Sequence, residues 1–165
     1  MFGVVRINSG GLMRTRSAKF STVIVGVAIS IATVVLPVAP AEAASKVKIT
    51  RVYYDSPGTP DSGSNRSLNG EWVRIKNTGS KAVSLTGWTL RDKTGFTYRF
   101  GTFKLGAGKS VTIRTGSGTD TAKNRFWGQD WYVWNNSGDK AILKNGSGKT
   151  VDTCKWGSGP GYTNC

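Results

Sequence analysis

Glu71-Trp72-Val73-Arg74-Ile75-Lys76-Asn77-Thr78-Gly79 is the stretch that decides the fold. Val73 and Ile75 alternate with Arg74 and Lys76, the period-two pattern of a strand with one apolar and one polar face. Asn77-Thr78-Gly79-Ser80 then brings turn residues, which end the strand and lead to a short next one.

The same grammar continues on both sides. Lys46–Tyr54 reads as a strand with Val47 and Ile49 on one face, after which the apolar parity shifts to Val52 and Tyr54 and predicts a bulge. Asp55–Gly70, with Pro57, Gly58, Pro60 and Gly63, reads as a long loop. Downstream, Ala82–Leu85, the Trp88/Leu90 alternation, Thr97–Phe100 and Ser110–Arg114 each predict a strand. Asp139–Lys144 and Lys149–Thr153 flank Asn145-Gly146-Ser147-Gly148, a hairpin signal. No helical periodicity, internal repeat or interdomain linker is visible after Ser45. Short strands at this density predict one all-β domain, an antiparallel β-sandwich.

The chain has 165 residues, with 23 Lys+Arg against 9 Asp+Glu, a net charge of +14, two Cys and no His. Without histidine there is no Ser-His-Asp or Cys-His nucleophile system, no histidine general base and no His-ligated zinc. Two cysteines cannot build a thiolate zinc cage or an iron–sulfur site.

Residues 1–43 differ in composition from the rest. Arg6, Arg14, Arg16 and Lys19 precede an apolar run from Val23 to Val38, and Ala41-Glu42-Ala43 fits a small-x-small cleavage site. The run is shorter than the ~20 residues of a spanning helix and meets Pro37. Residues 1–43 are therefore expected to be a cleaved signal peptide, an uncleaved anchor being the alternative, and residues 44–165 a secreted, extracellular domain without a membrane span. Its remaining charge is strongly basic. In an oxidising compartment Cys154 and Cys165 are expected to pair and tie down the C-terminus, a bridge worth roughly 3 kcal/mol.

Five segments together carry a resemblance. They are Glu71–Gly79, Val83–Asp92, Tyr98–Phe100, Phe103–Ile113 and Trp134–Leu143. In this order they resemble the lamin tail domain, an immunoglobulin-like β-sandwich of nuclear lamins and of many secreted bacterial proteins. The nearest likeness is to secreted single-domain actinobacterial members with a two-cysteine tail. The resemblance implies a fold without known intrinsic catalysis, used as an adaptor or binding module. The chain has no coiled-coil heptads, so filament assembly is not implied. Its export signal means that chromatin cannot be carried over as a partner.

Candidate sites follow from chemistry. Asp55, Asp61 and Glu71 lie on or beside the long loop and offer oxygen ligands for calcium; a solvated loop is the plainer reading, and no metal or cofactor is expected. The aromatic segment Phe126–Trp134 is the most unusual local feature. Trp127 and Trp131, next to Gly128 and Asp130, are expected to be its exposed members, with other aromatics in the core. Arg74 and Lys76 share the outward parity, and with Arg125 they represent a basic charge spread along the chain. Such a face attracts polyanions. No RNP-type run, zinc finger or recognition helix is present, so sequence-specific nucleic-acid binding is not expected.

The expectation is a monomeric, secreted, non-catalytic module binding an anionic polymer or cell-wall glycan, through Arg74, Lys76, Arg125, Trp127 and Trp131. The alternatives are a small secreted nuclease or glycan hydrolase, drawing an acid–base pair from Glu71, Asp, Lys or Tyr, and an inhibitor or adhesin using the aromatic loop as a hot spot.

Overall fold

A computed structural model describes residues 46–58 and 61–165; the expected signal peptide lies outside these residues. In chain order the elements are β1 (Val47–Tyr53), a four-residue helix α1 (Asn65–Leu68), β2 (Trp72–Asn77), β3 (Val83–Ser84), β4 (Thr89–Arg91) and β5 (Thr97–Arg99). They continue with β6 (Lys104–Leu105), β7 (Ser110–Arg114), β8 (Asn124–Phe126), β9 (Gly138–Lys144), β10 (Thr150–Gly157) and β11 (Tyr162–Asn164).

The alternation around Val73 places β2 at the centre of a five-stranded sheet ordered β11-β1-β2-β7-β8. All its pairings are antiparallel except that of β7 with β8. A four-stranded antiparallel sheet, β10-β9-β4-β5, packs against it, and β3 and β6 form a two-stranded ribbon. Val47, Ile49, Val52, Val73, Ile75, Val111 and Ile113 from the first sheet share one buried cluster with Leu90, Ala141, Leu143, Cys154 and Trp156 from the second. Each fully buried aliphatic side chain there is worth roughly 1.5–3 kcal/mol of transfer free energy. The fold is the all-β sandwich that the strand pattern predicts.

Local chemistry sets the registers. The parity shift in β1 is a bulge between Ile49 and Arg51, so that Arg51 rather than Thr50 stands opposite Arg74. Asn77 is buried and does more than turn the chain. Its Nδ2 donates to the carbonyls of Lys81, Leu105 and Gly106 at 2.8, 3.1 and 3.2 Å, while its Oδ1 accepts from Gly79 N at 3.0 Å. It thereby ties the end of β2 to the ribbon. The Asn135 side chain accepts from Ser137 N at 2.9 Å and sets the turn into β9. Asn145 does the same for the β9–β10 hairpin, accepting from Ser147 N and Lys149 N at 3.1 and 2.9 Å. Gly87 is required by its positive φ of 76°; a Cβ there would meet nothing within 4 Å, so conformation and not crowding explains it.

Three features depart from the sequence reading. The long loop contains α1, N-capped by Ser64, whose side chain accepts from Ser67 N. The final hairpin runs on through Cys154 to Gly157. Two three-residue edge strands, β8 and β11, were not anticipated. Cys154 and Cys165 are disulfide-bonded, with Cα atoms 5.7 Å apart. The bridge ties β10 of one sheet to the residue after β11 of the other, and Cys165 N donates to Thr50 O at 3.1 Å.

Candidate functional site

The outer face of the five-stranded sheet is built by residues that alternate with the core positions of β1, β2 and β7. Lys48 stands directly opposite Lys76, and Arg51 directly opposite Arg74. Beyond Arg74 lies Thr112, and beyond Trp72 lies Arg114. Like charges directly across an antiparallel pair are destabilising. Lys48 is relieved by Asp152 at 3.5 Å, but among the described residues no carboxylate pairs with Arg51, Arg74 or Arg114.

These three guanidinium groups are instead held by neutral neighbours. Arg51 Nε donates to Asn164 Oδ1 at 2.7 Å, and its guanidinium lies 5.4 Å from the Tyr162 ring centre. Arg74 lies 4.8 Å from the Trp72 ring centre. Arg114 donates from Nε to Asn124 Oδ1 at 3.1 Å and from a terminal nitrogen to Asn69 O at 2.7 Å. In the next outward rung, beside Arg51 and Arg74, the rings stack on one another across three strands. Tyr53 is 5.4 Å from Tyr162 and 5.2 Å from Trp72, with interplanar angles of 16° and 25°. Each ring therefore packs against another ring, and Trp72 and Tyr162 also brace a guanidinium, although Tyr162 stays 37% exposed. A guanidinium already fixed in place loses less rotamer freedom when it engages an oxyanion. Beside this ladder runs a groove of about 630 Å³ whose lining includes Arg74, Lys109, Arg114 and Lys123, with no acidic side chain.

The sequence-predicted residues fall in different places. Arg74 and Lys76 are exposed on this face, as their parity implies. Arg125 is not on it. In β8 it shares the register position of the inward Ile113, lies 4.2 Å from the Phe103 ring centre and pairs with Asp120 at 3.1 Å. Trp127, expected to be exposed, packs partly buried against the core, with its ring 6.0 Å from Tyr98 and 5.8 Å from Trp134. An aromatic beside a glycine loop can still fold back on the sandwich, and here core packing outweighs the loop signal. Trp131 is 65% exposed; its ring lies against Gly63, where an added Cβ would sit 2.6 Å from it. The sequence reading missed Arg51, Tyr53 and Trp72. Trp72 shares its parity with Arg74, a signal that was available.

The acids serve the scaffold. Glu71 is fully buried just before β2 and accepts from Thr115 Oγ1 at 2.5 Å, Val133 N at 3.0 Å and Trp134 N at 2.9 Å. Burial pushes its carboxyl up to about 7, against the pull of these three donors, and the Asp61 carboxylate raises it further. Glu71 thus pins the aromatic segment to the sheet. Asp55 is half-buried and Asp61 exposed, and among the described residues no three acids, cysteines or histidines gather as a metal-ligating group. Asp139, also buried, accepts backbone N–H bonds from Lys93, Asn135 and Lys140 at 3.2, 3.2 and 2.7 Å.

Comparison with known proteins supplies the family and nothing finer. No curated protein matches the chain. A family model, the lamin tail domain, matches residues 40–158, most of the sequence and the whole of both sheets except β11. The chain belongs to the lamin tail domain family.

Proposed function

We propose that the protein is a non-catalytic extracellular module that binds a linear anionic polymer, such as an anionic cell-wall glycan, on the outer face of its five-stranded sheet. One observation carries this reading: Arg51 and Arg74 oppose each other directly, with no carboxylate pairing either among the described residues. A repeating oxyanion on a partner removes that repulsion, and a planar guanidinium donates to phosphate or carboxylate oxygens in a forked geometry. The disulfide and the absence, among the described residues, of a helix long and apolar enough to cross a membrane are compatible with an extracellular setting. Two of the acid–base candidates of the enzyme alternative, Glu71 and Tyr98, are poorly placed. Glu71 is closed off from solvent, and burial first, then Asp120, pushes the Tyr98 phenol up to about 12.

The test is binding of the disulfide-intact protein to labelled polygalacturonate and polyphosphate over a salt series. A contact of three to five charges should weaken on the order of tens- to hundreds-fold between 50 and 200 mM salt. Arg74→Glu should weaken it at least tenfold at low salt. Equal binding by wild type and Arg74→Glu, with no salt slope, would falsify the assignment. A second reading, a protein-interaction module, is favoured by exposed Trp131, whose ring is braced edge-on by Tyr132 at 5.5 Å. Recovery of a stoichiometric protein partner lost in Trp131→Ala would support it.

A further inference from the structure

The second sheet repeats the arrangement of the first. In the four-stranded sheet the core positions are Leu90, Ala141, Leu143, Cys154 and Trp156, so their alternates face outward. Those alternates include Lys140 and Lys155, which stand directly opposite each other. Arg91 pairs with Ile142 and Thr97, while Thr89 pairs with Lys144 on one side and Arg99 on the other. No acidic residue occupies an outward position in these rungs. Asp139 lies inward beneath Lys140, and its carboxylate is engaged by backbone N–H groups. Lys93, whose Nζ donates to Gly138 O, joins Lys140 and Lys155 around a cleft of about 410 Å³ beside Trp156, whose lining also includes Asp139.

The two sheets bury their apolar faces in one cluster, so these two cationic faces look in opposite directions. Each contains a directly opposed like-charge pair without a carboxylate pairing among the described residues: Arg51 with Arg74 on one side, Lys140 with Lys155 on the other. A single polymer chain following one face leaves the other uncompensated. We infer that the domain is bivalent: it bridges two anionic polymer chains, one on each sheet, and so acts as a cross-link rather than only as a ligand-bearing surface. This rests on the polyanion-binding reading above and extends it to a second, independent face. Two-site engagement multiplies retention on a polymer mesh through effective concentration, without a new contact at either face.

A sandwich-capture experiment tests the inference. Polyphosphate is fixed to beads, the disulfide-intact protein is added and washed at low salt, and a fluorescent polyphosphate is then supplied. Protein on the beads and captured label are read separately. Wild-type protein should retain both. Lys140→Glu/Lys155→Glu should stay on the beads but lose label capture at least tenfold; Arg51→Glu/Arg74→Glu, left with the second face alone, should reach the beads in smaller amount and lose label capture per bound molecule at least tenfold. Lys155→Gln provides a milder substitution, and matched thermal melting confirms that each variant is folded. Wild-type protein that stays on the beads but captures no label overturns bivalency and leaves the binding reading standing. Undiminished capture by folded Lys140→Glu/Lys155→Glu also overturns it, because one face or a self-associated pair then suffices. Wild-type protein that fails to bind the beads at all overturns both readings.

Discussion

The outer face of the five-stranded sheet and the aromatic segment 126–134 use the same residue types to opposite ends. In the segment, Trp127 and Trp134 turn onto the core, and the backbone N–H groups of Val133 and Trp134 are held by a carboxylate with no solvent exposure. On the sheet face, Tyr53, Trp72 and Tyr162 stack in a row and brace cations at the surface. The conspicuous run is scaffold, and the scattered rings form the presenting surface. Density of aromatics along a chain reports packing demand, whereas their position relative to strand parity reports what the surface shows.

Substitutions sharpen that contrast most where the scaffold is cut. Glu71→Ala leaves two backbone N–H groups and the Thr115 hydroxyl without their acceptor in a dry site, and should cost about 3–5 kcal/mol by urea denaturation. A stability loss under about 1 kcal/mol would mean that the segment does not depend on this anchor. Solution pH probes the same carboxyl. Its folded pKa lies above its ordinary value of 4.5, so the folded chain holds the proton more tightly and stability should fall as pH rises from about 4.5 through about 7, then level off. The full shift corresponds to roughly 3 kcal/mol as an upper bound. Glu71→Gln should flatten that slope, and an identical slope in the variant would assign the pH response to another group.

The two tryptophans then separate the regions directly. Trp127→Ala should cost about 2–3 kcal/mol of stability, less than a fully buried ring because this one is only partly enclosed, and leave polymer affinity unchanged in the folded protein. Trp72→Ala should do the reverse, costing about 1 kcal/mol of stability while weakening polymer binding about tenfold, because Arg74 loses its brace. Equal effects of both on affinity would erase the distinction. Smallest of all, Trp131→Ala should change stability by less than about 0.5 kcal/mol and leave polymer affinity alone, since this ring is mostly in solvent.

Much of the sandwich was legible from alternation, because Val73/Ile75 and Val111/Ile113 each mark an inward face without reference to partners. The bulge in β1 was also legible, since apolar parity changes between Ile49 and Val52. The edge strands β8 and β11 were not, because three residues carry too little periodicity and are held by neighbours distant in sequence. The candidate face was only half legible. Parity sends Arg74 and Lys76 outward, but nothing local says that Arg51 stands beside Arg74 or that Tyr162 closes the ring stack. Those facts are register, and register is set by the bulge and the last strand. Arg125 shows the complementary failure: a basic residue among aromatics looked available, yet its guanidinium found a ring and Asp120 at once.

The clasp between Cys154 and Cys165 reaches further than the tail it secures. The strand it holds supplies Tyr162, the outermost ring of the row, and Asn164, the acceptor that steadies Arg51. That strand also covers the hydrogen-bonding edge of β1, which would otherwise be free to recruit a strand from another molecule. Thiol chemistry therefore governs the covered edge and the charged row together: while oxidised, the protein keeps its hem sewn and its row of cations complete, and reduction would fray both at once.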